Sequence, residues 1–130
     1  MADSLETVLA SGLDRLSIPY TETTLRSFRI YYNLLSERSR QMNLTAISGE
    51  ADVARLHLLD CAAVLTRFPF EGKRVLDVGS GAGFPGLVLK LLCPSLSLPL
   101  LDSTGKRVLF QQEVCSALEL RDVACLHMRA

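Results

Sequence analysis

Lys73-Arg74-Val75-Leu76-Asp77-Val78-Gly79-Ser80-Gly81-Ala82-Gly83-Phe84-Pro85-Gly86 is the stretch on which the fold turns. Its first half reads as a short apolar strand ending on an acid, and its second half as a glycine-dense turn that opens a helix. Glycines at 79, 81, 83 and 86 strip the main chain of side chains, so that a ligand can lie against backbone N–H groups. Pro85 suits the first helical turn, where a missing N–H is no loss and a fixed φ helps. The positive end of that helix then faces the ligand.

Downstream of this stretch the elements alternate. A strand at Arg74 to Val78 is followed by a helix at Phe84 to Leu92, a strand at about Leu98 to Asp102, a helix at Thr104 to Leu118 and a strand at Val123 to His127. Such a β-α-β-α-β run predicts a parallel half-sheet in the order 3-2-1, with ligand bound at the carboxyl ends of the strands. Pro99 is the oddity: an inner-strand proline loses a ladder hydrogen bond, which predicts a second strand shortened to Leu100 to Asp102.

Upstream, the pattern is helical throughout. Ser4 caps a helix carrying Leu5, Val8, Leu9, Gly12, Leu13 and Leu16 at helical period, with Pro19 beyond its end. A second helix runs from near Thr21 to about Met42, with Leu25, Phe28, Tyr32 and Leu35 on its apolar stripe. Asn43-Leu44-Thr45-Ala46-Ile47 breaks the period, and Asn43 suits the left-handed turn that closes a helix. Ser48 is placed to cap a third helix in which Val53, Leu56, Leu59 or Asp60, Ala63 and Val64 face inward, with a kink near His57. Pro69 and Gly72 end the segment. The fold class is therefore α/β, an N-terminal helical subdomain over 1–70 followed over 71–130 by the first half of a Rossmann-like sheet.

With 130 residues, 48% hydrophobic and 22% charged, the chain has globular composition and length for one modest core. Lys plus Arg and Asp plus Glu balance at 14 each, so no overall basic charge advertises nucleic acid, although a local patch remains open. Cysteines at 61, 93, 115 and 125 form no C-x-x-C pair and no leader precedes the first helix, which predicts a reduced, cytoplasmic protein. The most apolar stretch, Gly86 to Leu101, is broken by Lys90 and Pro94 and falls short of the roughly 20 residues that span a bilayer. It reads as core, and no membrane association is expected.

Gly81 to Gly86 satisfies G-x-G-x-x-G, and Asp102 follows at about the spacing of a ribose-binding acid, so an NAD-type half-domain is one reading. Asp77 argues for another: it lies within the strand end, where an NAD site stays apolar, and the triplet Gly79, Gly81, Gly83 is the one that meets the strand. Asp-x-Gly-x-Gly-x-Gly is the turn of S-adenosylmethionine sites. On this reading Gly79, Ser80, Gly81 and Gly83 line the cofactor, and Asp102, with Ser103 beside it, accepts the ribose hydroxyls. A plain strand-to-helix turn for the glycines and a helix-capping role for Asp102 stay open.

Met42-Asn43-Leu44-Thr45-Ala46-Ile47, His57-Leu58-Leu59-Asp60, Asp77 to Gly86 with its Gly83-Phe84-Pro85-Gly86 ending, Leu101-Asp102-Ser103 and Lys106-Arg107-Val108 together resemble the RsmG (GidB) family. The likeness runs in order along nearly the whole chain. It implies a class I S-adenosylmethionine-dependent methyltransferase acting on N7 of a guanine in 16S, the small-subunit, ribosomal RNA. The resemblance also implies cofactor contacts at Gly79, Phe84 and Ala130, while the acidic residue that follows the last of these in the family, and an arginine further on, fall outside the sequence. Family members continue well past this point, so a truncated form with weak or no activity is expected.

Guanine N7 attacks through an in-plane lone pair and needs no deprotonation, so no residue is required as a general base. Lys106 and Arg107 open the helix after the second strand and are candidates for holding RNA phosphates, with plain solvation as the alternative. Asn43 and His57 are further candidates on the RNA side, although a structural role suits both His57 and His127. The two histidines lack metal-ligand spacing, and no metal is expected. The first strand has a neighbour on one side only, which predicts self-association through its edge. A non-catalytic remnant that binds RNA or protein is the remaining alternative.

Overall fold

The computed structural model of the chain describes residues 3–39, 41, 49–79 and 81–129. The proposed turn at Asn43, the Ser48 cap and the cofactor candidates Ser80 and Ala130 lie outside the described residues.

Helix α1 spans Leu5–Arg15 and starts as its sequence dictates, the Ser4 hydroxyl accepting from the Thr7 N–H. It ends in a Schellman turn in which Ile18 N–H reaches Leu13 O at 2.9 Å and Ser17 takes a φ of 57°. Helix α2, Glu22–Arg38, opens on a capping box between Thr21 and Thr24. It stops short of the expected Met42. Its buried face is Phe28, Tyr31 and Leu35. Tyr31, rather than the expected Tyr32, is the tyrosine that goes inside.

The third helical segment is composite: α3 (Glu50–Val53), a π turn over Ala54–Leu58, α4 (Leu59–Ala62) and a 3-10 turn over Ala63–Thr66. The π turn falls where a kink near His57 is expected. It also corrects the inward face, because an i→i+5 turn inserts extra backbone and shifts the phase of everything after it. Val53, Ala54, Leu58 and Ala62 are buried, while Leu56 is 64% exposed.

The strands β1 (Asp77–Val78), β2 (Leu98–Asp102) and β3 (Val123–His127) pair in parallel, in the order β1-β2-β3. Helix α5 (Gly86–Leu92) joins the first two and α6 (Gly105–Ala117) the last two. This is the expected half-sheet. Pro99 acts on the neighbouring strand rather than on its own. Ser97 bonds Lys73 and Val75 of the β1 side, Leu98 bonds Asp122 of the β3 side, and Leu101 again accepts from Gly79. By that alternation Pro99 would donate toward β1 and has no N–H to do so. β2 therefore keeps Leu98–Asp102 paired with β3, while β1 breaks into a bridge at Arg74 and the pair Asp77–Val78.

Leu98, Leu100 and Asp102 point to the helix-covered face, where Leu100 is fully buried. The opposite face carries Leu76, Val78 and Leu126 at 56%, 52% and 38% exposure. Parallel sheets are ordinarily covered on both faces, so this bare side is an apolar surface in want of a cover. One buried cluster runs from Leu5 and Phe28 through Leu58 to Leu87, Leu100 and Val114, joining the helical layer to the sheet layer. Lys90 of α5 is 4% exposed, its amine donating to Pro94 O at 2.7 Å and to Leu96 O.

Candidate functional site

The glycine loop sits at the carboxyl end of β1, where three of its glycines take left-handed φ values: 74° at Gly79, 54° at Gly81 and 95° at Gly83. They serve two purposes. A methyl group on Gly79 or Gly81 would meet nothing within 4 Å, so the edge of the loop stands open. One on Gly83 would strike the Leu87 side chain and lie 2.8 Å from the Tyr31 hydroxyl, and one on Gly86 would lie 2.7 Å from the Asp77 carboxylate. Gly83 and Gly86 are thus small so that the loop and α5 seat closely on what lies behind them. Helix α5 starts at Gly86 rather than at Phe84, so Pro85 stands at its N-cap, just outside the first turn expected to hold it, and follows a cis peptide bond.

Two carboxylates bolt the loop to the sheet. Asp77 accepts from Gly86 N–H at 2.9 Å, and Asp102 accepts from Gly81 N–H at 2.8 Å through one oxygen and from Thr104 N–H at 2.9 Å through the other. Burial pushes the Asp77 carboxyl above its ordinary range, the Gly86 N–H opposes that, and the nearby Asp102 charge adds to it. Asp102 is 3% exposed and already holds two N–H groups. Each oxygen keeps a second lone pair, so an additional donor would join these bonds rather than replace them.

A cavity of about 300 Å³ lies at the carboxyl ends of all three strands, lined by Val78, Gly79, Leu101, Asp102, Ser103, Met128 and Arg129. It brings Gly79, Asp102 and Ser103 together as the sequence suggests, and adds Met128 and Arg129. The only hint of the last two is that they follow the third strand, at the end where ligands bind.

Phe84 faces the helical layer. Its ring stacks on His57, with centroids 5.5 Å apart and planes 5° off parallel, and stands 6.0 Å from that of Tyr31. Two candidates drawn from distant parts of the chain, one for RNA and one for cofactor, are thereby in contact. The phenol of Tyr31 donates to Ala82 O of the loop, and Gln111 of α6 donates to Gly81 O at 2.8 Å. Neither residue stands out in the sequence. Gln111 has a recoverable signal, as the polar member of the stripe Val108, Gln111, Val114.

Lys106 is exposed and lines a groove of about 380 Å³ between α2 and α6, with Arg38, Gln41, Leu109, Phe110 and Glu113. Arg38 and Glu113 pair across it at 3.1 Å. Arg107, half-buried, turns elsewhere, and its Nε finds no hydrogen-bond partner among the described residues. His127 is tied to Ser103 O at 3.0 Å.

A parallel α/β half-sheet, with a glycine loop and a second-strand acid meeting at its carboxyl edge, defines the Rossmann-like class of nucleotide-cofactor proteins. Residues 24–130 match the family model GidB, described as rRNA small subunit methyltransferase G. The chain belongs to that family. It is 41% identical over 120 residues to the Ribosomal RNA small subunit methyltransferase G of Lachnoclostridium phytofermentans, which covers 92% of this chain and 50% of the relative. The protein of the same name from Staphylococcus aureus is 42% identical over 123 residues (94% and 52%), and that from Pelotomaculum thermopropionicum 39% over 127 residues (97% and 53%). The chain spans about half the length of the curated relatives it matches.

Proposed function

We propose that this chain carries the cofactor loop of a methyltransferase that uses S-adenosylmethionine to methylate N7 of a guanine in 16S ribosomal RNA. The observation that carries the reading is the open edge of the loop: the side-chain positions of Gly79 and Gly81 face no atom within 4 Å, and Gly79 and Asp102 line a cavity at the strand ends. Gly79, Gly81 and Gly83, with Ser80, shape the loop against the cofactor, Phe84 closes its helical side, Asp102 and Ser103 meet the ribose, and Ala130 adds a contact. Bound there, S-adenosylmethionine would supply an electrophilic methyl group on a sulfonium.

The residues present fit such a group. An open-edged loop admits an amino-acid moiety, and Asp102 retains lone pairs for hydroxyl donors. Guanine N7 needs no base, so the task of the protein is to hold it in line with the methyl group, reacting atoms about 3 to 3.5 Å apart. Lys106 and Arg107 hold RNA phosphates, and Asn43 and His57 are further candidate RNA contacts.

Isothermal titration with S-adenosylmethionine and with NAD tests the loop. Tighter NAD binding would overturn the assignment. Small ribosomal subunits lacking the modification, incubated with methyl-labelled cofactor and digested to nucleosides, test the reaction. Label must appear in N7-methylguanine when a protein of the relatives' full length is used.

A further inference from the structure

A loop with three left-handed glycines has little shape of its own, because each of those residues reaches many other conformations at low cost. Its shape is imposed by what grips it. Asp77 and Asp102 grip N–H groups from the sheet, whereas Gln111 and Tyr31 grip the successive carbonyls of Gly81 and Ala82 from behind. In a planar trans peptide the N–H points opposite to the C=O. Holding Gly81 O and Ala82 O toward α6 and α2 therefore aims the N–H groups of Ala82 and Gly83 away from the helices. Neither of them donates to a described residue.

Tyr31 is suited to this task. It is 1% exposed, and burial pushes its phenol well above the ordinary range, so the hydroxyl stays a neutral donor at any working pH. Its ring is set between Phe84 and Phe110, with centroids at 6.0 and 6.4 Å, which leaves the hydroxyl little freedom to swing off Ala82 O.

We propose that Tyr31 is a positioning residue for the glycine loop: the N-terminal helical layer, through the Tyr31 hydroxyl on Ala82 O, sets the loop geometry on which cofactor affinity depends. Cofactor binding is on this account a property of both layers. The proposal rests on the reading of the loop as a S-adenosylmethionine site, and its test is arranged so that the two fail separately.

Tyr31→Phe keeps the ring and removes only the hydroxyl. Phe28→Leu, one turn earlier on α2, loosens the same buried face without touching the loop and serves as control. Hydrogen exchange read by mass spectrometry over residues 79–86 should speed up about 3- to 10-fold in Tyr31→Phe, the worth of one hydrogen bond, and stay at the wild-type rate in Phe28→Leu. The dissociation constant for S-adenosylmethionine should rise by a similar factor in Tyr31→Phe alone. Unchanged loop exchange in Tyr31→Phe, or equal acceleration in both variants, overturns the proposal. Absence of S-adenosylmethionine binding in the wild-type chain overturns the cofactor reading instead, and the exchange comparison still decides the role of Tyr31.

Discussion

Gly79 and Gly83 share a left-handed backbone and differ in what a side chain would meet. At Gly79 alanine brings backbone strain alone, about 1–2 kcal/mol. At Gly83 the same strain is joined by collision with Leu87 and the Tyr31 hydroxyl, both buried. Gly83→Ala is expected to cost about 3 kcal/mol or more, as overpacking adds to the strain, and urea denaturation of the two variants should separate them by at least the overpacking part. Lys90 is a second case in which surroundings decide. Its amine is spent on the carbonyls of Pro94 and Leu96, just past the end of α5. Lys90→Met keeps the volume and strands both acceptors, so unfolding should become easier by about 1–3 kcal/mol in spite of the added apolar surface.

Among elements, the three N-terminal helices are tied together by one guanidinium. Arg29 of α2 pairs with Glu6 of α1 and with Glu50 of α3, each at 2.6 Å, and Glu50 also accepts from Leu5 N–H at 2.9 Å. The side-chain hydrogen bond from Arg29, and then the Leu5 N–H, hold the Glu50 carboxyl at about 2, against an ordinary value of 4.5. A depressed carboxylate stabilises the fold fully above its unfolded value and ceases to do so as pH falls through its folded value. Stability of the helical layer should thus fall between about pH 4.5 and pH 2. Circular dichroism melts across that window should show a shallower acid limb in Glu50→Gln. High salt should weaken the wild-type effect, because all three side chains are partly exposed.

On the scale of the molecule, two surfaces carry expectations about partners. From the exposed sheet face, with Leu76, Val78 and Leu126 beside β1, we expect association of the chain with itself. Sedimentation velocity should show concentration-dependent association that the double substitution Leu76→Lys, Leu126→Lys suppresses, and a wild-type chain monomeric at tens of micromolar would end this expectation. The other surface is the α6 start. Replacing Lys106 and Arg107 together should weaken RNA binding and lower its salt slope by up to about 2, while leaving S-adenosylmethionine affinity alone. A smaller drop is expected from Arg107 than from Lys106, since Arg107 is half-buried and Lys106 stands in an open groove.

Local rules were enough to read much of this protein from its residues. The cap at Ser4, the start of the second helix near Thr21, the alternation of helix and strand after Lys73 and the strand order all follow from periodicity, capping chemistry and the parallel crossover rule. The glycine loop and the place of Asp102 at the end of β2 were equally legible, because left-handed turns select glycine and strand-end acids fall at regular spacing. Three-dimensional packing decided the rest. Phe28, Tyr31, Leu35 and Phe28, Tyr32, Leu35 are both helical stripes, and it is the tertiary surroundings, the Ala82 carbonyl and the rings of Phe84 and Phe110, that select Tyr31. A kink near His57 is legible in the residues, but not that it takes the form of a π turn, a backbone insertion that leaves Leu56 exposed. Pro99 declares a missing hydrogen bond, but which neighbour loses it depends on the direction in which that position faces in the assembled sheet. The grip on Gly81 and Ala82 joins residues 30 and 51 positions apart, a proximity that exists only once the helical layer has closed on the sheet.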